Sequence, residues 1–261
     1  MALIFGAATS DRVDCGSAAS LDNFTVATWL AWLYPTTLTS GRRLFEKDAT
    51  PIKVWLLSGT GGNLRLQVAQ STSPANYISN VASIATNTWC FVAATYDQAA
   101  TPRIHLYSGR LGTAVAEDTY GTTTDGSGTA TADGAGNLVI GNKSAASFNG
   151  AFEGRIAAFA YVNAVLTLGQ IQSWQYHPRS LASTPLFMRL GYAGTGVQPD
   201  WSGNGNAGTV TGATVGDDVP LRPPFGADPE WSGAFTVAAA GGVPTLVGAS
   251  FSLAGARGLA G

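Results

Sequence analysis

Charge is scarce in this sequence. Charged residues make up 11% of the 261, and lysine stands only at positions 47, 53 and 143. Globular domains usually carry roughly 25%. The formal net charge is −2, and no basic cluster is longer than Arg42-Arg43. A nucleic-acid binder needs a basic patch to neutralise phosphates, so no nucleic-acid partner is expected. The two histidines, His105 and His177, lie far apart, which disfavours a histidine metal site. The two cysteines, Cys15 and Cys90, can form at most one bridge. In a chain whose first ten residues lack both a basic start and the apolar run of a secretory signal, two separate reduced thiols are expected. Long apolar runs are missing as well. The uncharged stretch 232–256 is broken by Gly233, Gly241, Gly242, Pro244 and Gly255, whereas a spanning helix needs about 20 predominantly apolar residues. No membrane partner is expected.

What is present in quantity is apolar and turn-forming. Hydrophobic residues reach 45%, with 7 Trp, 8 Tyr and 11 Phe beside 33 Gly and 12 Pro. A rich core with little charge excludes charge-driven disorder. The length suits one β domain of about 200–250 residues or two smaller ones. Alternating or β-rich runs occupy 2–5, 12–15, 24–34, 43–47, 53–58, 64–69, 77–84, 89–96, 103–107, 138–140 and 152–162. Turn clusters such as 58–63 and 133–137 separate them. Many short strands with almost no helical periodicity predict an all-β fold, an antiparallel sandwich or barrel.

One helix stands out. Thr167-Leu168-Gly169-Gln170 fits a capping box, Leu168, Ile171 and Trp174 or Gln175 follow at helical spacing, and Pro178 stops the run. We expect it to plug one end of the sandwich. The strand 24–34 is apolar on both faces, with Phe24, Val26, Leu30, Trp32 and Tyr34 on one and Ala27, Trp29, Ala31 and Leu33 on the other. A sandwich strand normally shows one face to water. Its outer face is therefore either covered, by a loop, the C-terminal segment or a partner, or carries small residues and one exposed Trp. Further on, 186–190 reads as another strand, 200–208 as a tight loop, 209–215 as an extended run and 219–225 as polyproline-type chain.

Several of these segments carry a family likeness. The run 24–30 (FTVATWL) resembles the early core strand of laminin-G-like, concanavalin A-like domains, and 88–97 (TWCFVAATYD) resembles their strongest signature, with Gln98 where Gly usually follows. Residues 103–108 match the next strand, while Phe148-Asn149-Gly150, Gly154-Arg155-Ile156 and 164–167 resemble the closing strand and following helix. The likeness covers about residues 2–176. It implies a concanavalin A-like jelly roll. The stretch 200–215 is similar to the segment that usually begins such domains, yet here it follows the helix. The resemblance therefore implies a circularly permuted sandwich over 1–216, completed by 186–216, with 217–261 as an extended, Pro-rich and then Ala/Gly-rich arm. Pro223, Pro224, Phe225, Trp231, Phe235, Phe251 and Leu253 are the expected partner-binding anchors of that arm, since aromatics dominate interface energetics.

Catalysis finds little support in the residues. Glycoside hydrolysis uses two carboxylates at a fixed separation. Of the four glutamates, Glu46 has Asp48 two positions on, while Glu117, Glu153 and Glu230 have no acidic residue two or four positions on, and Glu117-Asp118 are adjacent, which sends them to opposite faces of a strand. No Gly-x-Ser-x-Gly elbow accompanies either histidine. No catalytic residue is assigned, and the chain is read as a non-enzyme without a cofactor. For calcium the candidates are Asp97, Asp125, Asp133 and Asp200, all in turn-rich contexts where aspartate is first a turn former; no ligand set follows, and no metal site is assigned. For sugar, the loop aromatics are Tyr77, Tyr120 and Tyr192. The resemblance to phage-encoded laminin-G-like proteins, carried by the Ser-Gly-Asn-Gly-Asn loop, implies a virion structural protein (capsid decoration, fibre or tail-associated). Such a protein is assembled in the host cytoplasm and contacts other virion proteins or copies of itself. The alternative is an extracellular, lectin-like adhesion module that binds cell-surface glycans.

Overall fold

The computed structural model describes residues 1–6, 10–47, 62–80, 83–134, 136–144 and 150–220, together with the backbone of 53–58. All of them fall within the compact unit Met1–Pro224. The arm anchors Pro223, Pro224, Phe225, Trp231, Phe235, Phe251 and Leu253 lie outside the described residues. In chain order the strands are β1 (Ala2–Phe5), β2 (Arg12–Asp14), β3 (Val26–Pro35), β4 (Arg43–Lys47), β5 (Lys53–Ser58), β6 (Asn63–Val68), β7 (Ala75–Ser79), β8 (Cys90–Asp97) and β9 (Ile104–Arg110). They continue as β10 (Thr113–Glu117), β11 (Tyr120–Thr124), β12 (Leu138–Ile140), β13 (Gly154–Val162), then helix α1 (Leu168–Tyr176), β14 (Leu186–Arg189), β15 (Thr209–Thr211) and β16 (Thr214–Gly216). Among the described residues no helix is long and apolar enough to cross a membrane.

Two antiparallel sheets form a sandwich. One runs β10-β9-β8-β3-β13-β1-β16, with β14 also on β13, and the other runs β11-β7-β6-β5-β4-β12-β2-β15. Side chains alternate across each strand, so one face of each sheet meets the other. Trp29, Ala31 and Leu33 of β3 and Val92, Ala94 and Tyr96 of β8 pack against Phe45, Leu64, Leu66 and Val68. The Trp29 ring stacks between Phe45, at 5.2 Å, and Tyr161, at 5.9 Å.

The first sheet is buried on its outer face too. Leu30 and Trp32 of β3, Phe91 and Ala93 of β8, and Ala158 and Ala160 of β13 form a second core with Ile171, Trp174 and Phe187. The cover is α1. The expected capping box is there: Thr167 accepts from Gln170 N, and the Gln170 side chain accepts from Thr167 N. The helix does not plug an end of the sandwich, however; it lies on the sheet, because the second face of β3 offers the apolar surface that Ile171 and Trp174 need. Gln175, fully buried, fastens it. Its Oε1 accepts from Val115 N at 2.8 Å, and its Nε2 donates to Thr113 O at 2.8 Å and Arg110 O at 3.1 Å. Trp32 Nε1 donates to Gln175 O at 2.8 Å. The exposed edge strand β10 is thereby held from the side by a helix side chain.

β13 is the centre of the topology. β3 lines one side of it, and two short strands share the other. β14 occupies one half, from Leu186 opposite Tyr161 to Arg189 opposite Ala158. β1 occupies the rest, with Leu3 opposite Ile156 and Phe5 opposite Gly154. The chain leaves the line at Gly191, whose φ is +84° and where a Cβ would stand 2.7 Å from the Ala2 carbonyl carbon. β16 then pairs with β1 (Ile4 opposite Thr214) and β15 with β2 (Val13 opposite Val210). The 186–190 run thus pairs with β13, and it is the 209–216 segment that flanks the N-terminal strands.

Candidate functional site

Residues 190–208 carry the chain from β14 in one sheet to β15 in the other, and the side chains of Gln198 and Asp200 fix their path. Gln198, fully buried, accepts from Gly191 N at 2.7 Å and donates to Gly194 O at 3.0 Å and Gly196 O at 2.8 Å. Its backbone exchanges two hydrogen bonds with Gly208. Asp200 accepts from Phe187 N at 3.1 Å, Ser202 N at 2.9 Å, Ser202 Oγ at 2.7 Å and Asn206 N at 3.0 Å. Asn206 Nδ2 donates to Pro185 O at 2.7 Å and Ser20 Oγ at 2.9 Å. The Asn-Gly-Asn turn is thus a hydrogen-bonded frame.

On that frame stand two aromatic rings that face water. Tyr192 is 58% exposed and Trp201 is 45% exposed. Their rings meet edge to face, with centroids 5.1 Å apart and planes at 85°. The Tyr192 hydroxyl and the Trp201 indole N–H make no hydrogen bond among the described residues. Val197 of the same connection is also exposed. An angled pair of amphipathic rings, held rigidly and carrying two free polar tips, suits a ligand with both apolar faces and hydroxyls.

Of the three loop aromatics named as sugar candidates, Tyr192 alone is exposed. Tyr77 is buried on β7, where its hydroxyl donates to Asp125 Oδ1 at 2.6 Å; burial and that carboxylate push its pKa up. Tyr120 is half-buried and packs edge to face on Tyr77 at 5.4 Å. Trp201 is hard to single out in the sequence because it sits in a run that reads as a turn. The signal was the composition of 200–208, an aromatic ringed by Asp, Ser and Asn. A second polar surface lies on β6 and β7, where Arg65 donates to Asn76 Oδ1 at 2.7 Å and Gln67 Oε1 at 2.6 Å. It has no exposed aromatic beside it among the described residues.

The carboxylates are dispersed. Asp97 accepts from Ala99 N at 2.8 Å, Asp125 from Arg103 N at 2.7 Å and Asp133 from Asn23 N at 2.8 Å. Asp97 and Asp125 both bond to the β8–β9 connection, while Asp133 and Asp200 bond elsewhere. Among the described residues, no three His, Cys, Asp or Glu side chains converge as metal ligands. Glu117 lies 2.7 Å from His105 Nδ1 and accepts from the Tyr120 hydroxyl at 2.7 Å. Asp118 accepts instead from Ser83 at 2.7 Å and Ser108 at 2.6 Å, and burial raises its pKa. Glu46 pairs with Arg43 at 2.8 Å, and Glu153 pairs with Arg42. Cys15 and Cys90 are buried free thiols, and burial pushes the pKa of Cys15 up.

A laminin-G family model, described as the concanavalin A-like lectin/glucanases superfamily, matches residues 7–172. The chain belongs to that superfamily. Among solved structures, the fold is similar to that of a candidate carbohydrate binding protein from Bacteroides ovatus ATCC 8483, at TM-score 0.60 and 18% identity. That alignment covers 86% of this chain and 61% of the other, so the chain spans under two thirds of that protein's length. A heptameric SAP-like pentraxin from Limulus polyphemus matches at TM-score 0.48 and 13% identity, over 66% of this chain and 80% of its own. No curated protein matches the sequence significantly.

Proposed function

We propose that the protein is a non-catalytic carbohydrate-binding module that holds a glycan on Tyr192 and Trp201. Of the two roles expected from the sequence, adhesion through glycans is the one the comparisons favour. The superfamily contains lectins, and the Bacteroides ovatus protein of similar fold is named for carbohydrate binding. The observation that carries the reading is the exposed aromatic pair on its Gln198–Asp200 frame. Water leaves both rings when a sugar ring stacks on them, and the frame means that little loop entropy is lost on binding. The non-catalytic part is supported by the carboxylates, since Glu46, Glu117 and Glu153 are engaged by different partners in different places.

The test is glycan-array screening of the full chain, followed by calorimetry on the best oligosaccharide with Trp201→Ala and Tyr192→Ala. An aromatic contact contributes about 0.5–1.5 kcal/mol beyond its area, so each variant is expected to bind roughly tenfold more weakly at nearly unchanged Tm. Undiminished binding by both variants, or no binding across neutral and acidic oligosaccharides, would overturn the reading.

A further inference from the structure

A pocket of about 290 Å³ opens on the outer face of the first sheet, where the chain leaves α1. Among the described residues it is lined by Ala157 and Ala158 of β13, by His177, Pro178 and Arg179 after the helix, and by Arg189 of β14 with Asp218 and Val219. The volume is at the small end of ligand sites, which run about 300–1,000 Å³. It admits one ring-sized molecule rather than a chain.

The charges in this pocket do not cancel. Asp218 is its one carboxylate among the described residues; its Oδ2 lies 3.6 Å from Arg189 and 2.8 Å from the Met1 amino group. Arg179 has no carboxylate partner among the described residues, and its contacts to His177 O (3.5 Å) and Ser173 Oγ (3.3 Å) are long. The last carbonyls of α1 contribute about half a negative charge. Two guanidinium groups outweigh that sum, and guanidinium forks match a carboxylate in two-point geometry. The lining also offers methyl groups, from Ala157, Ala158 and Val219. A fully hydrated inorganic anion gains nothing from such a surface; the C–H face of a sugar ring does.

We propose that this pocket binds a hexuronate unit, its carboxylate between Arg179 and Arg189 and its ring over Ala157 and Ala158. The sugar scaffold rests on the glycan-binding reading, whereas the requirement for a carboxylate stands on the pocket alone. The test is NMR titration of the full chain with glucuronate, glucose and acetate. Glucuronate is expected to saturate at about millimolar concentration, shifting the Ala157 and Ala158 amides. Glucose should shift them little at the same concentration, and acetate should bind more weakly. Arg179→Gln and Arg189→Gln should each weaken glucuronate at least fivefold, as should a rise in salt that shortens the screening length. Both side chains are solvent-facing, so the variants are expected to keep the wild-type spectrum elsewhere. Trp201→Ala should leave glucuronate binding unchanged, which separates this site from the aromatic pair. Absence of saturable glucuronate binding, equal binding of glucose or acetate, or indifference to both arginines would overturn the proposal.

Discussion

Replacing Gln175 with alanine tests how α1 is held to the edge strand. The substitution leaves the Val115 N–H buried with no acceptor and removes the donor to the Thr113 and Arg110 carbonyls. A buried donor left unpaired costs about 1–3 kcal/mol, and each lost carbonyl bond roughly 0.5–1.5 kcal/mol. The two carbonyl bonds are only part-buried and recover part of their loss, so the expected total is about 2–5 kcal/mol. In a domain of this size 1 kcal/mol moves Tm by roughly 2–4 °C, giving a fall of about 4–20 °C. Thermal unfolding by near-ultraviolet circular dichroism measures it. Gln175→Leu, which keeps most of the volume and none of the hydrogen bonds, should lose most of the same stability. Native-state hydrogen exchange gives a local readout: the Val115 amide is protected in the parent and should exchange rapidly in either variant. If both variants melt within about 2 °C of the parent, the glutamine is a bystander and the apolar contacts of Ile171 and Trp174 alone hold the helix.

Two further outcomes follow from buried positions. Gly191→Ala forces a side chain into a left-handed backbone and against the Ala2 main chain, and should cost about 2–4 kcal/mol; Gly194→Ala has a similar φ but open space, so it should cost markedly less. Equal melting shifts for the two would refute the contact. Burial raises the Asp118 carboxyl above its ordinary value of 3.8, so between those values the folded state keeps a proton that the unfolded state has released. Stability therefore falls as pH rises through that window and is level above it. Urea unfolding of Asp118→Asn should lack this fall, so its advantage over the parent should grow with pH and then plateau; parallel profiles would refute the assignment.

Strands with a buried face announced themselves in the sequence, and edge strands did not. The 89–96 run became β8 because its residues are apolar on both sides and are buried on both sides. β10 and β11 were not anticipated, since Val115 is the single buried residue of the first and the second has none. With no apolar alternation there is no period to detect. The expected 77–84 strand is β7, Ala75–Ser79, and residues 81–82 lie outside the described ones. The helix was legible from Thr167, Gln170 and Pro178, but its resting place was not, because only the double-sided burial of Leu30 and Trp32 defines the surface it covers. The same limit applies to the aromatic pair. A sequence names Tyr192 and Trp201, but exposure depends on Gln198 and Asp200 turning both rings outward.

The line of backbone shared by β14 and β1 along β13 dictates an order of completion. A ribosome makes β1 and β2 first, yet β2 meets no partner until β12 has been made, and β1 none until β13. Their other neighbours, β15 and β16, come last of all the described strands. The earliest residues are therefore the last to acquire both partners, and closing the sheets requires pairing across nearly the whole described length. Such non-local closure is slow compared with hairpin formation. Until it happens, two short strand edges stay open to other chains, so concentration during folding bears on the yield of native protein as directly as sequence does.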